Sequence, residues 1–176
     1  MQNSLDRKTM KTILTFSLLI LLSACRPNRN EENSKIIIET PKNFFFRIDF
    51  NNHDHYDSYD STLTRSYNFG DTTLNVWLTH EERNNLYKII IENDFFNLPH
   101  SIPNDTTKSF ITPSKDDYVV VYINGQIKNR VRVNRGGSPL DTNAVRRFNN
   151  VFNYIENILT KTKKYKNLAP SNIVSM

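Results

Sequence analysis

Y-V-V-V-Y-I-N-G-Q-I-K-N-R-V-R-V, residues 118–133, is the stretch from which the fold can be read. Asn124-Gly125 accepts positive φ at both central positions of a type I′ turn, whose twist matches that of two antiparallel strands. β-branched and aromatic residues fill both arms. An unbroken register from that turn places Tyr122 opposite Ile127, Val120 opposite Asn129 and Tyr118 opposite Val131 on one face. The other face then carries Val119 and Val121 with Lys128, Arg130 and Arg132. Asp117 falls opposite Arg132, an exposed ion pair of little worth.

Upstream, N-F-F-F-R-I-D-F (43–50) alternates with Phe44, Phe46, Ile48 and Phe50 on one face, a half-buried strand. L-T-R-S-Y-N-F (63–69) puts Leu63, Tyr67 and Phe69 on a shared face. Gly70-Asp71 then supplies a turn, and Leu74, Val76 and Leu78 point inward on a partner strand. Thr79-His-Glu-Glu82 has the form of a capping box. Leu86, Ile89, Ile90 and Asn93 continue it at helical spacing to about residue 94. Phe95, Phe96 and Leu98 plug the helix end, and Pro99 stops it. Residues 99–115, with three prolines, form a long irregular loop. Downstream of R-G-G-S-P, the apolar stripe Val145, Phe148, Val151, Phe152, Ile155, Ile158 and Leu159 predicts a helix from Leu140 to about Lys164. K-I-I-I-E-T-P (35–41) fits a short edge strand. The expected fold is α+β, an antiparallel sheet of about five strands in the order β-β-β-α-β-β-α with two helices on one face.

The chain has 176 residues, consistent with one domain, and its 38% hydrophobic and 23% charged residues exclude a disordered polymer. The one cysteine, Cys25, permits no internal disulfide. It follows a basic start with Arg7, Lys8 and Lys11, then the apolar run I-L-T-F-S-L-L-I-L-L (13–22), too short for a stable bilayer span. L-S-A-C, Leu22 to Cys25, resembles the lipobox of bacterial lipoproteins. The resemblance implies a signal peptide over 1–24 and a lipidated Cys25, anchored stably because several acyl chains share one residue. Residues 25–42 then read as lipidated cysteine and flexible tether, 43–165 as the domain and 166–176 as a tail without pattern.

The formal charge is +5; the leader carries Asp6 against Arg7, Lys8 and Lys11, so the rest of the chain is +3. Ten Lys and Arg side chains between residues 128 and 166 face only Asp141 and Glu156, making that stretch +8 and the remainder −5. Such asymmetry can mark a surface for anionic partners.

The segments L-T-H-E-E, I-I-I-E-N-D-F-F-N-L-P and Y-V-V-V-Y-I-N-G, followed by a C-terminal helix, resemble uncharacterised small lipoproteins of Bacteroidota. That resemblance spans most of residues 43–160. It implies a cell-envelope location and carries over no catalytic residue; with a lipid anchor on Cys25, the outer membrane is the expected site.

N-N-H-D-H-Y-D-S-Y-D (51–60) is the one metal-like constellation. His53 and His55 as H-x-H on a strand could share a zinc ion, and Asp54, Asp57 and Asp60 could hold calcium. The flanking turn formers favour a solvated link between strands instead, without a metal or other cofactor. Gly136-Gly137 with Arg135 before a helix could cradle an anion, a plain loop being the simpler reading. No nucleophile elbow occurs. Lys128, Arg130 and Arg132 form a possible surface for an anionic partner, or a strand kept soluble by charge. Nucleic acid is not expected, because an exported protein rarely meets it and no stacking platform is read beside the charges. The expectation is a non-enzymatic binding module with a protein or glycan partner. An inhibitor or immunity-type lipoprotein, or a metal-dependent enzyme using His53–Asp60, are the alternatives.

Overall fold

The computed structural model describes residues 38–105 and 116–172; the leader and Cys25 lie outside them. The architecture is mixed α+β, as expected, but with more strands. A seven-stranded sheet joins β1 (Phe44–Phe50), β2 (Asp54–Asp57), β3 (Thr62–Tyr67), β4 (Gly70–Asn75), β5 (Ser101–Ile102), β7 (Asp116–Ile123) and β8 (Gln126–Asn134). The order across it is β4-β3-β2-β1-β7-β8-β5. All pairs are antiparallel except β5 with β8. A separate ribbon pairs β6 (Asn104–Asp105) with β9 (Ser138–Pro139). The helices are α1 (His80–Glu92), α2 (Thr142–Thr160) and the single turn α3 (Lys163–Lys166).

β1 is the centre of the sheet because its alternation is unbroken: Phe44, Phe46, Ile48 and Phe50 are all buried. Burying side chains of this size stabilises by roughly 1.5–3 kcal/mol each. Against them pack Leu86 and Ile90 of α1 and Phe148, Val151, Phe152, Ile155 and Leu159 of α2. Both helices therefore cover one face of the sheet. The capping box of α1 forms as the residues demand: Thr79 Oγ1 accepts from Glu82 N at 3.1 Å, and Thr79 N donates to Glu82 Oε2 at 2.7 Å. Phe95 and Leu98 plug the end of α1.

The 51–60 stretch is not one link. Asn51 and Asn52 take positive φ, which asparagine tolerates, and turn the chain back. Asp54–Asp57 then pairs with both β1 and β3, placing Tyr56 opposite Ile48 in the core. Burial pushes the Tyr56 hydroxyl up to about 12, and that hydroxyl donates to Val76 O at 2.9 Å. The β3–β4 turn falls at Asn68-Phe69, two residues earlier than expected, so Phe69 is 98% exposed at its tip instead of sharing an inner face.

The β7–β8 register also departs from the simple extrapolation. Tyr122 does face Ile127, but a bulge follows, and Val121 pairs with Asn129, Val119 with Val131 and Tyr118 with Arg132. β1 dictates this. It pairs Phe46 with Val121 and Ile48 with Val119, so both valines must lie on the core face. One extra residue in β8 brings Val131 and Val133 onto the same face. Asp117 therefore meets Val133, and its carboxylate pairs with Arg135 at 2.6 Å; Arg132 pairs with Asp116.

α2 begins at Thr142 rather than Leu140, because Asp141 caps it by accepting from Ala144 N at 2.8 Å. It ends at Thr160: Thr162 is extended and its hydroxyl donates back to Leu159 O at 2.8 Å. The segment read as a patternless tail is tied down. Arg65 Nη1 donates to Ala169 O at 3.0 Å, Tyr67 Oη to the same oxygen at 2.8 Å, and Ser171 Oγ to Ser66 O at 2.8 Å. Of the expected edge strand over 35–41, residues 38–40 are not extended into any sheet, and 35–37 lie outside the described residues.

Candidate functional site

The face of the sheet that the helices leave open is decided by the same alternation. Phe45, Arg47 and Asp49 of β1 sit between the core positions, and their register partners on β7 are Tyr122, Val120 and Tyr118. On β2 the partners of Arg47 and Asp49 are Asp57 and His55. Arg130 and Arg132 complete the face from β8, opposite Val120 and Tyr118.

Three rings stand in a row on this face. Phe45 and Tyr122 stack with centroids 4.5 Å apart at 12°, and Tyr59, 76% exposed, lies 5.2 Å from Phe45. Cations interleave with the aromatics. Arg47 sits 5.5 Å from the Tyr122 centroid and Arg130 sits 5.8 Å from that of Tyr118. Arg47 Nε is also held by Asp57 Oδ2 at 2.5 Å, and that bond raises its pKa. Among the described residues no carboxylate pairs with Arg130 or Lys128. The expectation that no aromatic platform accompanies the basic row is thus corrected: the bulge brings Tyr118 and Tyr122 to the side of Arg130 and Arg132. The signal available in the sequence was the middle phenylalanine of F-F-F (44–46). Phe45, with Tyr118 and Tyr122, puts aromatic side chains on the second face of β1 and β7, which a one-sided sheet does not require.

At one end of the row the sheet opens into a cleft of about 320 Å³. Four separated segments build it: Lys42, Asn43 and Phe45 at the start of β1, Tyr59 in the β2–β3 turn, Arg83 of α1, and Gly125 in the β7–β8 turn. Ser58 fixes the rim, its Oγ accepting from Phe46 N at 2.7 Å and its N donating to Phe46 O at 2.9 Å. Arg83 Nη2 donates to Phe44 O, and among the described residues no carboxylate meets its guanidinium.

The histidines and aspartates of 53–57 part company. His53 stays in the β1–β2 turn and His55 is on β2. Asp54 lies opposite Phe50 on the core side, bound by Arg65 Nε and Nη2 at 2.7 and 2.8 Å. Asp57 is on the open side with Arg47, and Asp60 accepts from Thr62 Oγ1 at 2.6 Å. The three carboxylates therefore do not converge on a calcium ion, and among the described residues no three His, Cys, Asp or Glu are placed to hold a metal. His55 Nδ1 bonds Asp49 instead, and this raises the imidazole pKa against an opposing effect of burial. The sign follows: the stabilisation is full below the unfolded value near 6.5 and is lost as pH rises through the folded one. At half exposure it stays under about 1 kcal/mol. An NMR titration should show the His55 pKa fall on Asp49→Asn, toward the ordinary imidazole value; no change in that variant would remove this pairing.

The Gly136-Gly137 loop has its neighbours already engaged, which leaves the alternative of an anion cradle without free donors from Arg135 or the helix start. Arg135 is committed to Asp117 and to Asn149, at 2.6 and 2.8 Å. The start of α2 is already capped by Asp141. Gly137 is required because a Cβ there would lie 2.7 Å from Asp105 O, where β6 pairs with β9. The basic run of 128–166 is partly structural too: Arg147 Nε caps the end of α1 by donating to Asn93 O at 2.8 Å, and its Nη2 bonds Asp94. Among the described residues no helix is long and apolar enough to cross a membrane. No family model, curated protein or solved structure matches the chain.

Proposed function

We propose that the chain is a lipid-anchored protein of the bacterial cell envelope, held at the outer membrane through Cys25, and that it is a non-enzymatic binding module. Its recognition surface is the open face of the sheet. The observation that carries this reading is the row Tyr59, Phe45 and Tyr122 with Arg47, Tyr118 and Arg130 on a face that neither helix covers. Folding alone supplies no reason to place that much aromatic area on the solvent side, whereas aromatic and arginine side chains are the usual anchors of interfaces. The lipobox-like L-S-A-C supports the envelope location.

The test is site-specific photo-crosslinking in intact cells with the full chain. A photoreactive residue at Tyr122 should capture a partner molecule, and one at Asn153, exposed on α2, should not. Phe45→Ala with Tyr59→Ala should weaken that capture at least tenfold, since each anchor of this type contributes about 2 kcal/mol. Equal capture from both positions, or none from Tyr122, would end the reading.

A further inference from the structure

We propose that the cleft between β1, the β2–β3 turn and α1 seats an acidic sugar residue of an envelope polysaccharide. Lys42 and Arg83 hold its carboxylate, Tyr59 packs against its ring, and the chain of sugars continues over Phe45 and Tyr122. This deepens the binding-module reading and rests on it.

Charge selects the anion. Among the described residues lining the cleft there are two cations, Lys42 and Arg83, and no carboxylate. Arg83 is half-buried and gives one bond to Phe44 O, while a guanidinium carries five N–H donors in a fork matched to a carboxylate. A partly desolvated cation without a counterion is unfavourable, and a bound anion offsets that cost. Size and lining select the sugar. About 320 Å³ exceeds what a bare inorganic anion fills and lies at the small end of organic ligand sites. One wall is aromatic, Tyr59 beside Phe45 at 5.2 Å, and the other offers Asn43 and the Gly125 turn. A pyranose has the same division, an apolar C–H face and a hydroxyl edge. A peptide added as a strand is disfavoured by position: the cleft lies at the ends of the central strands, and among the described residues the outermost strands of the sheet are β4 and β5.

The full chain in detergent micelles can be titrated with tetragalacturonate, a neutral hexose tetrasaccharide, inorganic phosphate and an oligothymidylate. Tetragalacturonate should bind and shift the amide signals of Asn43, Tyr59 and Gly125, with affinity falling as salt rises. Arg83→Gln, Lys42→Gln and Tyr59→Ala should each weaken it about tenfold. Lys42 and Tyr59 are exposed, so their variants keep the fold even if Arg83→Gln does not. Lys88→Gln, on the exposed side of α1, should change nothing. No binding, equal binding of the neutral sugar, or equal competition by phosphate or oligothymidylate would overturn the proposal. If tetragalacturonate fails while crosslinking from Tyr122 still captures a partner, only the sugar assignment falls; if both fail, the binding face falls with it.

Discussion

Arg65→Met should cost about 3–5 kcal/mol of folding free energy, read as a lowered urea midpoint, a large share of the roughly 5–15 kcal/mol available to a domain. Arg65 and Asp54 are both buried and form a two-point ion pair, Nε to Oδ1 at 2.7 Å and Nη2 to Oδ2 at 2.8 Å. Tyr165 completes the shell. Its hydroxyl, pushed up to about 12 mainly by burial and then by its bond to Asp54, stays protonated and donates to Asp54 Oδ2 at 2.7 Å. The Arg65 guanidinium also stacks 4.6 Å from the Tyr165 centroid. Methionine fills the space but leaves a carboxylate buried with one neutral partner. The penalty comes from that uncompensated charge, so Asp54→Leu added to Arg65→Met should recover most of the loss. A second readout is specific to this place. Arg65 also holds Ala169 O, so the single variant should expose residues 167–172 to protease before the rest of the domain. A loss under about 1 kcal/mol, or a double variant no better than the single one, would show that this network does not hold the C-terminal segment.

That network was invisible in the linear sequence for a physical reason. Asp54 sits among His53, His55 and Asp57, and local context makes the group look like ligands awaiting a cation. The cation it meets is Arg65, eleven residues on, and the register of β2 against β3 is what sets them side by side. What was legible rests on local periodicity or local capping. The Phe44, Phe46, Ile48, Phe50 alternation gives β1, the Thr79–Glu82 box gives α1, and the Phe148 to Leu159 stripe gives α2. β2 escaped because, of its four residues D-H-Y-D, Tyr56 is the one that packs in the core. The β8 bulge escaped because a turn sets the register only until a longer-range pairing overrides it, here that of Val119 and Val121 with β1.

The candidate site divides along the same line. Arg130 and Arg132 were legible as a basic row because they are alternate residues on one strand. Their aromatic neighbours were not, since an unbroken register puts Tyr118 and Tyr122 on the other face. The cleft had no sequence signature at all: Lys42, Tyr59, Arg83 and Gly125 come from four segments and are brought together by the sheet order β2-β1-β7-β8 with α1 packed behind it. Residues assembled this way can be recognised by the charge they leave uncompensated, as Arg83 shows, and spacing does not reveal them.

Asn129→Leu should destabilise by about 2–4 kcal/mol although the replacement is apolar, similar in size and placed in a core. Asn129 is buried on the core side because the bulge put it there, opposite Val121. Its Nδ2 donates to Phe95 O at 2.8 Å and Leu98 O at 2.9 Å, and its Oδ1 accepts from Arg130 N at 2.8 Å. One side chain thus fastens β8 to the turn that ends α1. Phe95 O keeps a second bond from Leu98 N at 3.1 Å, so leucine chiefly strands Leu98 O and Arg130 N. Asn129→Asp separates this cause from packing. A carboxylate there faces two carbonyl oxygens in a dry site, so its folded pKa rises above the unfolded 3.9. Between those two values the folded state binds more protons, and stability must fall as pH rises through the folded pKa. At low pH the protonated acid can again donate one hydrogen bond. The aspartate variant should therefore approach wild type as pH is lowered toward 4 and be worse than the leucine variant at pH 7, whereas the leucine penalty should stay flat with pH. Equal and pH-independent losses in the two variants would mean that Asn129 contributes its volume and not its hydrogen bonds.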